Sequence, residues 1–222
     1  MNLFFKSGLT LLMLGLLQWG CSTGAVLEDD PKALYEDAES DIESDRYQLA
    51  LDKLRTVKNK FPYSKYSIKA KLRMADVYYL QENYLEAAAL YEVFKDLHPK
   101  HHKVPYALYR IGESYLNDVP DLVARDLTSA HKAIEAYSNF LYQFPNDENS
   151  KQAREKINIL KNKLAEKEMY IGKFYYTWEK YLSAKNRFEK VIALYPETSQ
   201  AEDAKKRLAK TEKKLSEEES DD

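Results

Sequence analysis

Few residues in this 222-residue chain could carry chemistry. A single cysteine, Cys21, excludes an internal disulfide and any zinc site built from several thiolates. The four histidines are His98, His101, His102 and His131, and three of them crowd into the segment His98-Pro-Lys-His-His102. Imidazoles so close could hold a metal, but Lys100 and Lys103 repel a cation and no thiolate is near, so the segment reads as a solvated turn and no metal is expected. Acidic runs such as Asp29-Asp30 and Glu217-Glu218-Glu219 read as solvated faces rather than acid/base pairs. Gly-Xaa-Ser-Xaa-Gly, a glycine loop for phosphate and His-Glu-Xaa-Xaa-His do not occur. No catalytic residue, no enzymatic step and no cofactor are expected. Lys and Arg total 34 and Asp and Glu 36, a balance that excludes a strongly basic nucleic-acid binder.

Cys21 does carry a chemical expectation. Lys6 is the only charge before Glu28, and Gly8 to Leu17 form a short apolar core. Crossing a bilayer takes about 20 apolar residues, so this core is too short for a comfortable span. Gly20-Cys21 at its end resembles a bacterial lipoprotein signal, although Gln18 and Trp19 fill places usually held by Leu and a small residue. The resemblance implies that residues 1–20 are a signal peptide, that Cys21 becomes the acylated (palmitate-bearing) first residue, and that residues 21–30 form a tether. The alternative is a soluble exported protein with a free thiol. Ser22 resembles the second residue of lipoproteins sorted to the outer membrane.

The body behind this tether must be helical. Only Gly112 and Gly172 occur after Gly24, too few for the turns of sandwiches or phosphate-binding folds. Pro62, Pro99, Pro145 and Pro196 each stand twelve residues after an alanine: Ala50, Ala87, Ala133 and Ala184. Four after each alanine come Leu54, Tyr91, Tyr137 and Phe188, and seven after come Val57, Phe94, Phe140 and Val191. That spacing is one helix face, which proline then ends. Upstream, Ala38, Ala75, Gly112 and Gly172 mark a second helix, each followed at +3 by Asp41, Tyr78, Tyr115 or Tyr175. A small residue there lets two helix backbones approach. The spacing predicts a loop over Asn117–Thr128, one long helix over 149–178 with Ala165 off its packed face, and a capping helix over Ser199–Leu215. The register resembles the tetratricopeptide repeat. The expected fold is all-α, a superhelix of about four repeats plus the cap over 31–215, with a frayed acidic tail at 216–222.

Longer segments add a family resemblance. Phe61-Pro-Tyr-Ser-Lys-Tyr-Ser67, Tyr106-Ala-Leu-Tyr-Arg-Ile-Gly112, Arg125-Asp126, Tyr175-Tyr-Thr177 and Asn186-Arg187 resemble stretches of the BamD family, lipoproteins of the outer-membrane β-barrel assembly machine. Leu127 stands where that family has Pro, and the fifth repeat is cut to about one helix. The resemblance implies a non-catalytic scaffold at the periplasmic face of the outer membrane, held by its lipid alone. Its partners would be the barrel-forming subunit through a POTRA domain, other assembly-machine lipoproteins and unfolded outer-membrane proteins. Tyr175, Tyr176, Asn186 and Arg187 match the partner-binding repeat, with Arg187 expected to face outward. Tyr63, Tyr66 and Tyr79 fall off the repeat core and suit a groove for client peptides, or simple packing between repeats. The alternative function is a repeat lipoprotein that coordinates cell-wall synthesis or cell constriction.

Cys21→Ser should abolish palmitate incorporation and release the processed chain from membranes into the soluble periplasm. Labelling and membrane fractionation check it, and an unlabelled wild-type chain would end the lipoprotein reading.

Overall fold

The computed structural model describes residues 29–221, so residues 1–20 and Cys21 lie outside it. Nine α-helices are present among the described residues: α1 (Pro31–Glu43), α2 (Tyr47–Lys60), α3 (Lys65–Leu80), α4 (Tyr84–Leu97), α5 (Val104–Asn117), α6 (Thr128–Gln143), α7 (Ser150–Thr177), α8 (Tyr181–Leu194) and α9 (Ala201–Asp221). Each packs on its sequence neighbours, giving four antiparallel pairs and a final cap, and odd helices touch at α1–α3 and α7–α9. This is the repeat architecture expected from the register.

Local chemistry sets the helix ends. Asp30 caps α1 by accepting from the Lys32 N–H at 2.8 Å, with Pro31 opening the helix. Ser64 accepts from the Tyr66 N–H at the start of α3. Before each of the four register prolines the chain leaves its helix the same way. The N–H of Phe61, His98, Phe144 or Tyr195 reaches back four residues, at 2.8–3.1 Å, to Val57, Phe94, Phe140 or Val191. Within three of the pairs the turn holds a left-handed residue, Asp45, Glu82 or Glu179. The next N–H then bonds the carbonyl of Asp41, Tyr78 or Tyr175 at 2.8–2.9 Å. The third pair has no such turn; the expected loop joins α5 to α6.

The register alanines are fully buried, and so are Leu54, Tyr91, Tyr137 and Phe188 beneath them. At the two glycines the room is taken by the paired helix. A Cβ on Gly112 would lie 2.6 Å from the Tyr137 ring, and one on Gly172 would lie 2.6 Å from Phe188. The aromatic ring of the paired helix fills the space over each glycine. Asp41, which replaces an aromatic in the first pair, is also buried. It takes Arg46 Nη2 at 2.7 Å and Lys53 Nζ at 2.6 Å. Burial works to raise its carboxyl, but the hydrogen bonds from Lys53 and Arg46 hold it below the ordinary value.

Two expectations need correction. Ala165 is not off the packed face of α7; it is fully buried in the main core. A 28-residue helix meets both α6 and α8, so it buries more than one stripe. The cap is longer than expected, because α9 runs from Ala201 to Asp221, beyond Leu215. It buries Ala201, Ala204 and Thr211.

Gly→Ala inside a helix normally gains about 1 kcal/mol. At Gly172 the sign should reverse, with a loss of about 1–3 kcal/mol from overpacking. Gly172→Ala combined with Phe188→Leu should recover part of that loss in thermal melts. A stabilised Gly172→Ala variant would refute the ring-on-glycine account.

Candidate functional site

The residues expected to bind a partner sit together in the fourth pair. Tyr175 and Tyr176, in the last turn of α7, are half-buried against the core. Tyr176 also meets the Tyr181 ring edge-on, centroids 5.4 Å apart. Asn186 is exposed on α8. Arg187 is not the outward, uncommitted cation that helix geometry suggested. Its Nη1 donates to Glu168 Oε2 at 2.9 Å, and Lys190 Nζ donates to Glu168 Oε1 at 2.5 Å. Glu168 is one turn before Gly172 on α7, with a side chain only 10% exposed, and it draws Arg187 across the helix pair. Burial works to raise the Glu168 carboxyl, but the hydrogen bonds from Lys190 and Arg187 hold it below the ordinary value.

The exposed part of this pair is a set of residues that the register did not single out. Tyr170, Phe174 and Trp178 are 51%, 51% and 65% exposed. Their spacing of four residues puts Tyr170 and Phe174 on one side of α7 and Trp178 at its C-terminal cap, opposite in role to the buried Met169, Gly172 and Glu168. Phe174 and Trp178 have ring centroids 5.8 Å apart. Leu182, at the start of α8, is also largely exposed. Lys167 and Lys173 lie on the same helix, the first donating to the Arg125 carbonyl at 2.6 Å and the second 3.7 Å from Asp203. The i, i+4, i+8 spacing was visible in the sequence. Its exposure was not, since the same spacing describes a buried stripe.

The three tyrosines expected to line one groove are dispersed. Tyr63 stands fully exposed in the turn before α3. Tyr66 packs on Tyr35 at 5.8 Å. Tyr79 lies thirteen residues along the same helix. That is about 20 Å along the axis and about 140° around it. No single groove holds all three. Tyr79 belongs instead to a polar seam across the odd helices. The Arg110 guanidinium stacks 3.5 Å over its ring, and Tyr84 meets it edge-on at 5.3 Å. Arg110 also donates to the Tyr91 hydroxyl at 3.2 Å. Tyr91 and Tyr106 both donate to Asp76 Oδ1, at 2.6 and 2.8 Å. Burial, with Asp76 beside it, pushes the Tyr106 hydroxyl up to about 12. The seam continues on both sides. Arg73 pairs with Glu39 at 2.8 Å, and Glu113 accepts from both Tyr137 and Lys156.

Among the described residues no helix is long and apolar enough to cross a membrane. Antiparallel helix pairs stacked in series, two of them locked by a ring on a glycine, define an all-α helical-repeat protein of the tetratricopeptide type. The chain belongs to the YfiO outer membrane lipoprotein family, whose model matches residues 27–222. This agrees with the resemblance drawn from the sequence. A relative from Neisseria meningitidis serogroup A is 28% identical over 216 residues, covering 90% of this chain and 81% of its own. One from Vibrio cholerae is 29% identical over 202 residues, covering 86% and 83%. Both relatives carry the name outer membrane protein assembly factor BamD.

Arg187→Ala should cost about 1 kcal/mol, because Glu168 loses one of two charged donors while Lys190 remains. A depressed carboxylate stabilises the fold above its unfolded pKa, about 4.3, and that contribution fades as pH falls through the folded value. The gap in melting temperature between wild type and Arg187→Ala should therefore shrink as pH drops from neutral to below about 4. A gap independent of pH would show that the Glu168 pair does not contribute.

Proposed function

We propose that the chain is a lipid-anchored scaffold on the periplasmic face of the outer membrane, serving assembly of β-barrel proteins there. It performs no catalytic step. Membership of the outer membrane lipoprotein family supports the location, and the names of its relatives support the assembly role. The lipid on Cys21 would anchor it in one leaflet.

The observation that carries the reading is the exposed Tyr170–Phe174–Trp178 stripe on α7. Large aromatic side chains on a rigid helix are the usual anchors of protein interfaces. We assign this stripe, with the neighbouring Tyr176 and Asn186, to a POTRA domain of the barrel-forming subunit. Arg187 contributes by holding α7 against α8, so that stripe and Asn186 keep a fixed relation. We assign the part-exposed Tyr79–Arg110 stack to unfolded outer-membrane protein segments, to which it offers an aromatic edge and a cation. Other assembly-machine lipoproteins complete the set of partners.

Phe174→Ala and Trp178→Ala should each weaken co-purification with the barrel-forming subunit by roughly 30-fold, the effect of a hot-spot anchor worth about 2 kcal/mol. Melting temperatures should stay at the wild-type value, because neither side chain is in the core. Wild-type binding by the double variant would overturn the assignment.

A further inference from the structure

Charge is unevenly spread along the first two repeats. Between Asp52 and Asp76 the sequence has eight basic residues and no acidic one, in a chain of formal net charge −2. Between Asp96 and Glu113 it adds Lys100, Lys103 and Arg110, again with no acidic residue. Part of this charge is used within the fold: Lys53 meets Asp37 and Asp41, Arg55 meets Asp52, Lys60 meets Asp29 and Arg73 meets Glu39. Lys65 and Lys69 are exposed and lie over the Tyr66 ring at 5.4 and 5.3 Å, with no carboxylate paired to them among the described residues. Lys71 Nζ is 3.4 Å from His98 Nε2, which places the start of the α4–α5 turn, the turn that carries Lys100 and Lys103, beside the first half of α3.

These residues share one edge of the stack, where α2 and α4 end and α3 and α5 begin. Farther along the same edge, the α6–α7 and α8–α9 turns carry Asp147, Glu148 and Glu197 instead. The basic character is confined to the end where the chain enters the fold. Tyr63 projects from the α2–α3 turn, fully exposed. Two shallow clefts, one lined by Tyr84, Asn117 and Ser129 and the other by Leu122, Ile159 and Glu166, lie elsewhere on the described fold.

The tether supplies the second argument. Asp29 is paired with Lys60, so the chain leaves the fold at this edge. Eight residue steps separate Asp29 from Cys21. Fully extended, they span at most about 28 Å. A lipid on Cys21 would hold the basic edge near the bilayer and raise its effective concentration there.

We propose that this edge is a membrane-contacting surface. Lys65, Lys69, Lys100 and Lys103 face the phosphates of anionic phospholipids in the leaflet that carries the Cys21 lipid. Tyr63 enters the headgroup layer, its ring in the apolar margin and its hydroxyl in water. The acidic turns of the third and fourth repeats are repelled by the same surface. The first two repeats lie against the bilayer, and the α7–α8 end with its aromatic stripe points away from it. The proposal rests on the lipid-anchor reading for its geometry, but its chemistry can be measured without the lipid.

The test uses the mature chain, residues 21–222, with Cys21→Ser, which contains the whole described fold. Flotation with phosphatidylcholine vesicles is compared with flotation on vesicles that also contain phosphatidylglycerol. Binding should require phosphatidylglycerol and weaken with added salt. Lys65→Gln and Lys69→Gln should each lower it about fivefold, and Tyr63→Ser should lower it further. Lys151→Gln, at the start of α7, should leave it unchanged. The triple variant should melt like wild type, because its three side chains are exposed. Equal binding to both vesicle types, or wild-type binding by the triple variant, would overturn the proposal. So would binding to an acidic peptide with none to vesicles. The anchor is scored separately, by the mass of the N-terminal peptide of wild-type protein from membranes. Its failure would leave the vesicle result standing.

Discussion

An aromatic ring seated on a residue with no room for a larger side chain is the contact on which this fold depends. In the third and fourth pairs the seat is glycine, and a single added carbon would meet the Tyr137 or Phe188 ring at 2.6 Å. In the first two pairs Ala38 and Ala75 take that register position, and both are fully buried. In the third and fourth pairs the contact fixes the distance and rotation of the two helices at once, since the ring fits only where the backbone is bare. It explains why a helical chain keeps glycine at two positions despite a propensity cost of about 1 kcal/mol each. Once each pair is set, the register decides which faces remain for other molecules.

Charge is fitted around these pairs as fixed structure. Asp41, Glu113 and Glu168 are each screened from solvent, and each is met by lysine or arginine from a neighbouring element. Leaving one carboxylate buried without its partner would be strongly unfavourable, so these cations are committed to the fold. Arg187 is the instructive case. Its position on α8 is outward by helix geometry, yet a buried carboxylate on α7 redirects it. A charged residue on a repeat surface is therefore available to a partner only if no carboxylate of the adjacent helix has already engaged it. Lys65 and Lys69 meet that condition.

The repeat could be read from sequence because it is periodic and local. Small residue, aromatic, alanine and proline recur at fixed offsets, and a helix turns those offsets into faces without knowledge of the rest of the chain. The loop at Asn117–Thr128 and the length of α7 followed from the same counting. What failed required knowing a neighbour. Ala165 looked peripheral until α8 was placed against α7. Arg187 looked free until Glu168 was placed opposite it. Tyr63, Tyr66 and Tyr79 were grouped by type, while thirteen residues of helix separate two of them. The Tyr170–Phe174–Trp178 stripe was hidden for the converse reason: apolar residues at helical spacing normally signal burial, and only the packing of α6 and α8 shows that this side of α7 has no cover.

A stack in which each pair touches mainly its sequence neighbours is close to one-dimensional, so a change at one end is felt weakly at the other. That property lets surfaces of different chemistry coexist on a short chain. The basic edge belongs to the first two repeats and the aromatic stripe to the fourth, with the Asp76–Arg110–Glu113 seam between them. Two ligands could occupy the ends without competing for residues, and the intervening helices would hold them at a set separation. The long α7 strengthens this arrangement. Its first half packs on α6 and its second half on α8, so the stripe is carried by an element continuous with the middle of the stack. A rigid spacer between a lipid surface and a protein partner needs this continuity, because a hinge at the third repeat would let the aromatic face swing relative to the membrane.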